Sequence, residues 1–140
     1  MLLSLTSLIW FIFICDLVAQ YYFMYWRFWW SDILMHFMGG FWLALFIYYV
    51  VYLSDFSQKI KDKARGYSLV VVVLGFALSV GLLWEIYELF FAFPLRSGYL
   101  GDTFLDLIMD CLGAVAVYYF ILKKINKEQV AQSTITDKMS

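Results

Sequence analysis

The sequence predicts an all-α integral membrane bundle of four transmembrane helices with both termini on the cytoplasmic side. Three observations predict it. Hydrophobic residues make up 64% of the 140 residues and charged residues 15%, whereas a soluble domain is nearer half apolar and one quarter charged. Four apolar runs each reach the ~20 residues that a helix needs to cross a bilayer. Lysines and arginines fall mostly in the loops that one orientation places inside. One proline, Pro94, in the whole chain also leaves too few turn formers for a many-stranded β protein.

The first run covers about residues 2–25 and is interrupted only by Asp16 and Gln20. It has no basic leader region, and Val18-Ala19-Gln20 is a poor cleavage site, so a retained helix is expected rather than a signal peptide. Arg27 and Ser31-Asp32 mark the turn into the second run, about 33–53, with Ser31 or Asp32 expected as its N-cap. A polar stretch, 54–66, separates it from the third run, about 67–93, which stops at Pro94 because proline cannot continue a helix. The fourth covers about 104–122, with Asp102 as an N-cap candidate. These four spans make one transmembrane domain, 1–122. Residues 123–140 are polar and predict a frayed cytoplasmic tail.

With both termini cytoplasmic, Lys59, Lys61, Lys63, Arg65, Lys123, Lys124, Lys127 and Lys138 lie inside, against Arg27 and Arg96 outside. Aromatic belts agree: Tyr21, Tyr22, Tyr25, Trp26, Trp29 and Trp30 fall at the outer interface, and Tyr48, Tyr49, Tyr52 and Tyr67 at the inner one. A cell (inner, cytoplasmic) membrane location follows. The net charge of −1 gives no reason to expect a nucleic-acid partner. Cys15 and Cys111 sit in apolar runs without metal-type spacing and read as small apolar fillers.

Seven of the eleven acids, Asp16, Asp32, Glu85, Glu88, Asp102, Asp106 and Asp110, fall in or beside the outer halves of the spans. The one histidine, His36, joins them. Asp32 and His36 are i,i+4; Glu85 and Glu88 are i,i+3; Asp102, Asp106 and Asp110 repeat at i,i+4,i+8; Asp16 and Gln20 are i,i+4. Each helix thus carries one polar stripe. Gly39, Gly81 and Gly113 extend three of these stripes inward, where small residues let membrane helices approach. The simplest assembly turns all four stripes to a common centre.

A carboxylate inside a span costs roughly 2.5–3.5 kcal/mol even on the lenient insertion scale, so Glu85, Glu88, Asp106 and Asp110 call for a shared purpose. Arg27, Arg96 and a protonated His36 balance at most three of the seven acids. The remainder must be protonated, hydrated or neutralised by a bound cation. An oxygen-rich site with one imidazole suits a divalent metal: Mg, Mn, Ca, Fe or Zn. No Glu-x-x-His pair occurs, so the di-iron bundle signature is absent.

Three motifs occur in order: Asp32-x-x-x-His36-Phe37-x-Gly39, Trp84-Glu85-x-x-Glu88, and Gly101-Asp102-x-x-x-Asp106-x-x-x-Asp110-x-x-Gly113-Ala114. Over about residues 32–114 the chain resembles the YjdF-type bacterial inner-membrane proteins and, more distantly, the VanZ-like family. VanZ-like proteins usually carry Gln where this chain has Glu88 and Asn where it has Asp110, which favours the YjdF-type comparison. The resemblance implies a helical membrane fold and no particular reaction.

Three functions compete. The first is a metal-dependent enzyme acting on a lipid, lipid-linked or envelope substrate. There Glu85, Glu88, Asp106 and Asp110 hold the cation, His36 is the acid/base or a ligand, Asp32 orients it, and Arg96 receives a phosphate or carboxylate head group. Asp16, Gln20 and Asp102 complete the polar cluster. The second is cation or proton transport along intramembrane carboxylates. It is disfavoured by apolar inner halves, unless a homo-oligomer forms the path. The third is a structural or partner-binding membrane protein whose acids are interhelical hydrogen bonders.

Overall fold

A computed structural model describes residues 2–53, 69–92 and 99–139. The polar stretch 54–66, the stop at Pro94 and Arg96 lie outside the described residues. Five α-helices follow in order: α1 Leu2–Tyr21, α2 Met24–Arg27, α3 Trp30–Tyr48, α4 Leu69–Tyr87 and α5 Tyr99–Met139. Wider π-helical turns extend α3 over Tyr49–Leu53 and α4 over Glu88–Ala92. No strand occurs among the described residues. Four stretches, Leu2–Tyr21, Trp30–Val51, Val70–Phe90 and Leu100–Ile121, are long and apolar enough to cross a membrane. The expected all-α class with four apolar helices is what the structure contains.

The helix boundaries differ from expectation for identifiable reasons. α1 ends at Tyr21, and Phe23 then turns the chain in the left-handed region (φ 54°, ψ 37°), a conformation costing a non-glycine residue roughly 1 kcal/mol. Tyr25 therefore sits in the connector, outside the apolar helices. α3 starts at Trp30, and its N-cap, Trp29, makes no side-chain capping bond. Ser31 and Asp32 are thus first-turn residues, not N-caps: the Ser31 hydroxyl donates backward to the Phe28 carbonyl (2.8 Å), and Asp32 is left facing His36. Asp102 likewise lies in the first turn of α5, where a negative charge favours the exposed N–H groups of the helix end. At its other end α5 continues through the polar tail to Met139. That tail lacks glycine and proline, and its four lysines and two glutamines are good helix formers, which let a helix propagate.

α3, α4 and α5 form the packed core, with α3 against α5 the most extensive pair, while α1 packs on α3 and α2. Contacts between His36 and Asp110 and between Phe37 and Gly113 show α3 and α5 running in the same direction. α4 runs opposite to both, placing Glu85 beside His36 and Gly81 beside Asp110. The indole of Trp42 donates to the Leu5 carbonyl (2.8 Å) and ties α1 to α3.

Each core helix buries residues spaced three or four apart: His36, Gly40 and Ala44 on α3; Val73, Ala77, Gly81 and Glu85 on α4; Asp106, Asp110, Ala114 and Val117 on α5. Such small-residue lines allow close backbone approach in a setting where lipid is as apolar as the helices and packing supplies the attraction. At one end Ala44, Val73, Ala77, Ala114, Val117 and Ile121 make an apolar core. At the other the same lines turn polar. Two glycines make the α3–α5 approach possible. A methyl on Gly40 would lie 2.7 Å from the Asp110 Cα, and one on Gly113 would lie 2.7 Å from the Phe41 backbone nitrogen.

Candidate functional site

The acidic end of the bundle is where α3 and α5 begin and α4 finishes. His36 is at its centre, 7% exposed. Its Nδ1 lies 3.4 Å from Asp110 Oδ2. Its Nε2 faces Asp32 Oδ1 at 3.9 Å and Glu85 Oε1 at 3.8 Å. Asp106 completes the group: Asp32, His36 and Asp106 each bring one potential ligand atom, and these lie within 4.8 Å of one another. Four carboxylates from three helices therefore surround one imidazole.

Three of the carboxylates are almost fully enclosed, Glu85 at 5%, Asp106 at 2% and Asp110 at 4% exposure. Glu85 Oε2 accepts a short bond from the Thr103 hydroxyl (2.6 Å), which links α4 to α5. Asp106 Oδ1 is buried and has no hydrogen-bond partner among the described residues. With every carboxylate ionised and His36 protonated these five side chains sum to a charge of −3. Enclosed charge of that size is unfavourable without a counter-charge or protonation. His36 makes ion-pair contacts with Asp32, Glu85 and Asp110, and Arg27 is exposed.

The spacing itself is informative. Separations of 3.8 and 3.9 Å from Nε2 are too long for hydrogen bonds. Two ligands each about 2.0–2.5 Å from one ion stand ~3–4 Å apart; these two separations fall in that range, while the Asp32, His36 and Asp106 atoms are held only within 4.8 Å. The 3.4 Å contact on the opposite ring nitrogen places Asp110 where a carboxylate orients a ligating imidazole.

The expected residues are thus partly regrouped. Glu85, Asp106, Asp110, Asp32 and His36 come together. Glu88 does not enter the tight group: it lies in the π-helical turn after α4 and accepts from the indole of Trp84 (2.9 Å). Asp102 is exposed. Eight residues on one helix drift by about 80° at 3.6 residues per turn, so Asp102 and Asp110 cannot share one face. Thr103, seven residues before Asp110, does share it. Asp16 belongs to a separate unit, accepting from Gln20 Nε2 and from the Tyr25 hydroxyl, both at 2.7 Å. Burial and the neighbouring Asp16 push the Tyr25 phenol well above its ordinary range. Three polar stripes meet at the centre and the fourth, on α1, pairs with the connector. Arg96 lies outside the described residues.

Tyr25 was expected only in the outer aromatic belt and Trp84 only as packing beside the Glu motif, whereas they bond Asp16 and Glu88; Thr103 and Gly40 carried no expectation. Thr103 could be found by running the Asp110 face back seven residues. Gly40 could not: both Gly39 and Gly40 are helical, and a methyl on Gly39 would lie an ordinary 4.0 Å from Asp110 Oδ1. Only the placement of α5 tells them apart.

The family model described as predicted membrane protein (DUF2238) matches residues 2–127, which include all four apolar stretches. A protein of Thermotoga maritima described as uncharacterized is 29% identical over 118 residues, covering 81% of this chain and 58% of its own length. The chain thus spans less than two thirds of that curated relative. No solved structure matches.

Proposed function

The chain belongs to the DUF2238 family of predicted membrane proteins, and from that premise we propose that its acidic end is an intramembrane divalent-cation centre acting on a lipid or envelope substrate. Asp32, His36 and Asp106 supply ligand atoms, Glu85 stands beside them, and Asp110 orients the imidazole. The observation that carries this reading is Asp106 Oδ1, a carboxylate oxygen buried in a residue 2% exposed and lacking a hydrogen-bond partner among the described residues. A bare, enclosed oxygen beside two further donors is what a cation would satisfy. Oxygen-dominated donors with one imidazole favour Mg²⁺ or Mn²⁺, with Ca²⁺, Fe²⁺ and Zn²⁺ as alternatives. Such an ion would polarise a phosphate or carboxylate head group.

The apolar core across the other half of the bundle supports a closed centre over a path through a single subunit. The hydrogen-bond reading of the acids fits Asp16, both of whose oxygens are taken within the chain, and leaves Asp106 unexplained. The motif order also supports kinship with the YjdF type, and more distantly the VanZ-like type. The lysine bias of the loops supports a centre on the outer side of the cell membrane.

Elemental mass spectrometry of the purified chain tests the proposal. Near-stoichiometric divalent metal is expected in wild type and loss of most of it in Asp106→Asn, with helix content unchanged. Metal-free wild type after titration with each candidate ion would refute the proposal.

A further inference from the structure

The two oxygens of the Glu85 carboxyl group face different helices. Its Oε2 accepts from the Thr103 hydroxyl of α5 at 2.6 Å, and its Oε1 lies 3.8 Å from His36 Nε2 on α3. The geometry points to Thr103 as a specificity-determining positioning residue of the cation centre: it keeps Glu85 to one ligating oxygen and so selects a compact six-coordinate ion, Mn²⁺ or Mg²⁺, over Ca²⁺. The inference rests on the cation-centre reading and adds the choice of ion to it.

Helix geometry fixes the arrangement. Thr103, Asp106 and Asp110 stand at i, i+3 and i+7 on α5, hence on one face. Thr103 is about 4.5 Å nearer the helix start than Asp106, at ~1.5 Å per residue. Glu85 reaches that level from α4 and is 5% exposed, so bulk water does not compete for its oxygens. A hydroxyl 2.6 Å from a carboxylate oxygen belongs to the short, charge-assisted class of hydrogen bonds. Turning Oε2 towards an ion breaks that bond.

The donors around the imidazole show why this matters. Asp32 Oδ1 and Glu85 Oε1 both face His36 Nε2, and Asp106 brings the buried Oδ1 that lacks a hydrogen-bond partner among the described residues. One atom from each of these four residues leaves two corners of an octahedron for water or substrate, the coordination that Mg²⁺ demands and Mn²⁺ shares. Ca²⁺ takes roughly six to eight oxygens at about 2.3–2.6 Å and often draws both from one carboxylate. Asp110 faces the opposite ring nitrogen and does not make up the difference. Glu85 is the longest of the three carboxylate side chains facing the ion, with the most reach to offer both oxygens, and Thr103 holds one of them away.

The test follows Mn²⁺ binding to the purified full chain by electron paramagnetic resonance, and its displacement by Ca²⁺. Wild type is expected to retain Mn²⁺ against excess Ca²⁺. Thr103→Val removes the hydroxyl at similar volume and is expected to narrow the Mn²⁺-over-Ca²⁺ ratio about tenfold, the lower end of what hydrogen-bond partners of metal ligands contribute. Thr103→Ser keeps the donor and is expected to restore the wild-type ratio. Should Thr103→Val fail to fold, Thr103→Ala removes the same donor with less bulk to misfit. A purely structural role would weaken both ions together and leave the ratio unchanged, which overturns the inference and leaves the centre standing. A wild-type preference for Ca²⁺ would do the same. Wild type that binds neither ion would overturn the cation centre, and the role of Thr103 with it.

Discussion

Replacing Gly40 with alanine should both destabilise the bundle and spoil the site, and the structure sets the scale. A methyl at Gly40 would lie 2.7 Å from the Cα of Asp110, and the obstruction is backbone, which no rotamer change can move aside. Carbon atoms in contact prefer about 3.5–4.0 Å, so α3 and α5 must part by roughly 1 Å at this level. Overpacking of this kind costs about 1–3 kcal/mol, offset by up to ~1 kcal/mol from alanine's better helix propensity. The net expectation is a loss of about 0–2 kcal/mol, and of about 1–3 kcal/mol relative to a glycine-to-alanine change without the clash. Because Gly40 is one turn from His36 and touches Asp110, the same separation widens the cluster and should weaken metal binding. Gly113→Ala, 2.7 Å from the Phe41 backbone nitrogen, should behave alike. Gly39→Ala, at 4.0 Å from a side-chain oxygen, and Gly75→Ala, with nothing within 4 Å, should be neutral or slightly stabilising. Thermal unfolding of the four variants in one detergent, followed by helical circular dichroism, ranks them. Equal midpoints for Gly40→Ala and Gly39→Ala would refute the α3–α5 approach on which the site depends.

Two further substitutions probe the surroundings of the centre. Thr103→Val removes the donor to Glu85 Oε2 and should cost about 1–3 kcal/mol, the range for a buried acceptor left without its partner; an unchanged unfolding midpoint would contradict that bond. Tyr25→Phe should cost about 1 kcal/mol at neutral pH through the lost bond to Asp16. Its pH dependence has a definite sign. The folded state holds the Tyr25 proton more tightly than the unfolded state does, so this group's stabilisation is fully present below the unfolded value of about 10 and declines as pH rises beyond it. Wild type should therefore lose more stability than Tyr25→Phe between pH 9 and 11, measured as the difference in unfolding midpoint; parallel losses would dismiss the burial of this phenol.

Much of the bundle was legible in the linear order of residues. Apolar length predicted four crossing-length helices because a helix in lipid must satisfy its own backbone and present apolar side chains. Helical spacing predicted that Asp32 with His36, and Asp106 with Asp110, share faces. The same reasoning placed Gly81 and Gly113 at helix contacts, since small residues below a polar stripe mark where helices approach. Helix ends were less legible. Ser31, Asp32 and Asp102 have the composition of N-caps, but a first turn accepts those residues equally well, because its free N–H groups welcome an acidic or hydroxyl side chain.

What the sequence alone determined is that acids and one histidine collect at one end of a membrane bundle, because the 3.6-residue period assigns faces without reference to any partner. The tertiary structure decided which of them meet. It brought Asp32, His36, Glu85, Asp106 and Asp110 together, turned Asp102 outward, and gave Asp16 to Tyr25 and Glu88 to Trp84. It also chose Gly40 over Gly39 as the contact. Neighbouring glycines are equivalent until another helix lies against one of them, and rotation and height between helices are set by packing across the interface rather than by the order of residues along a single helix.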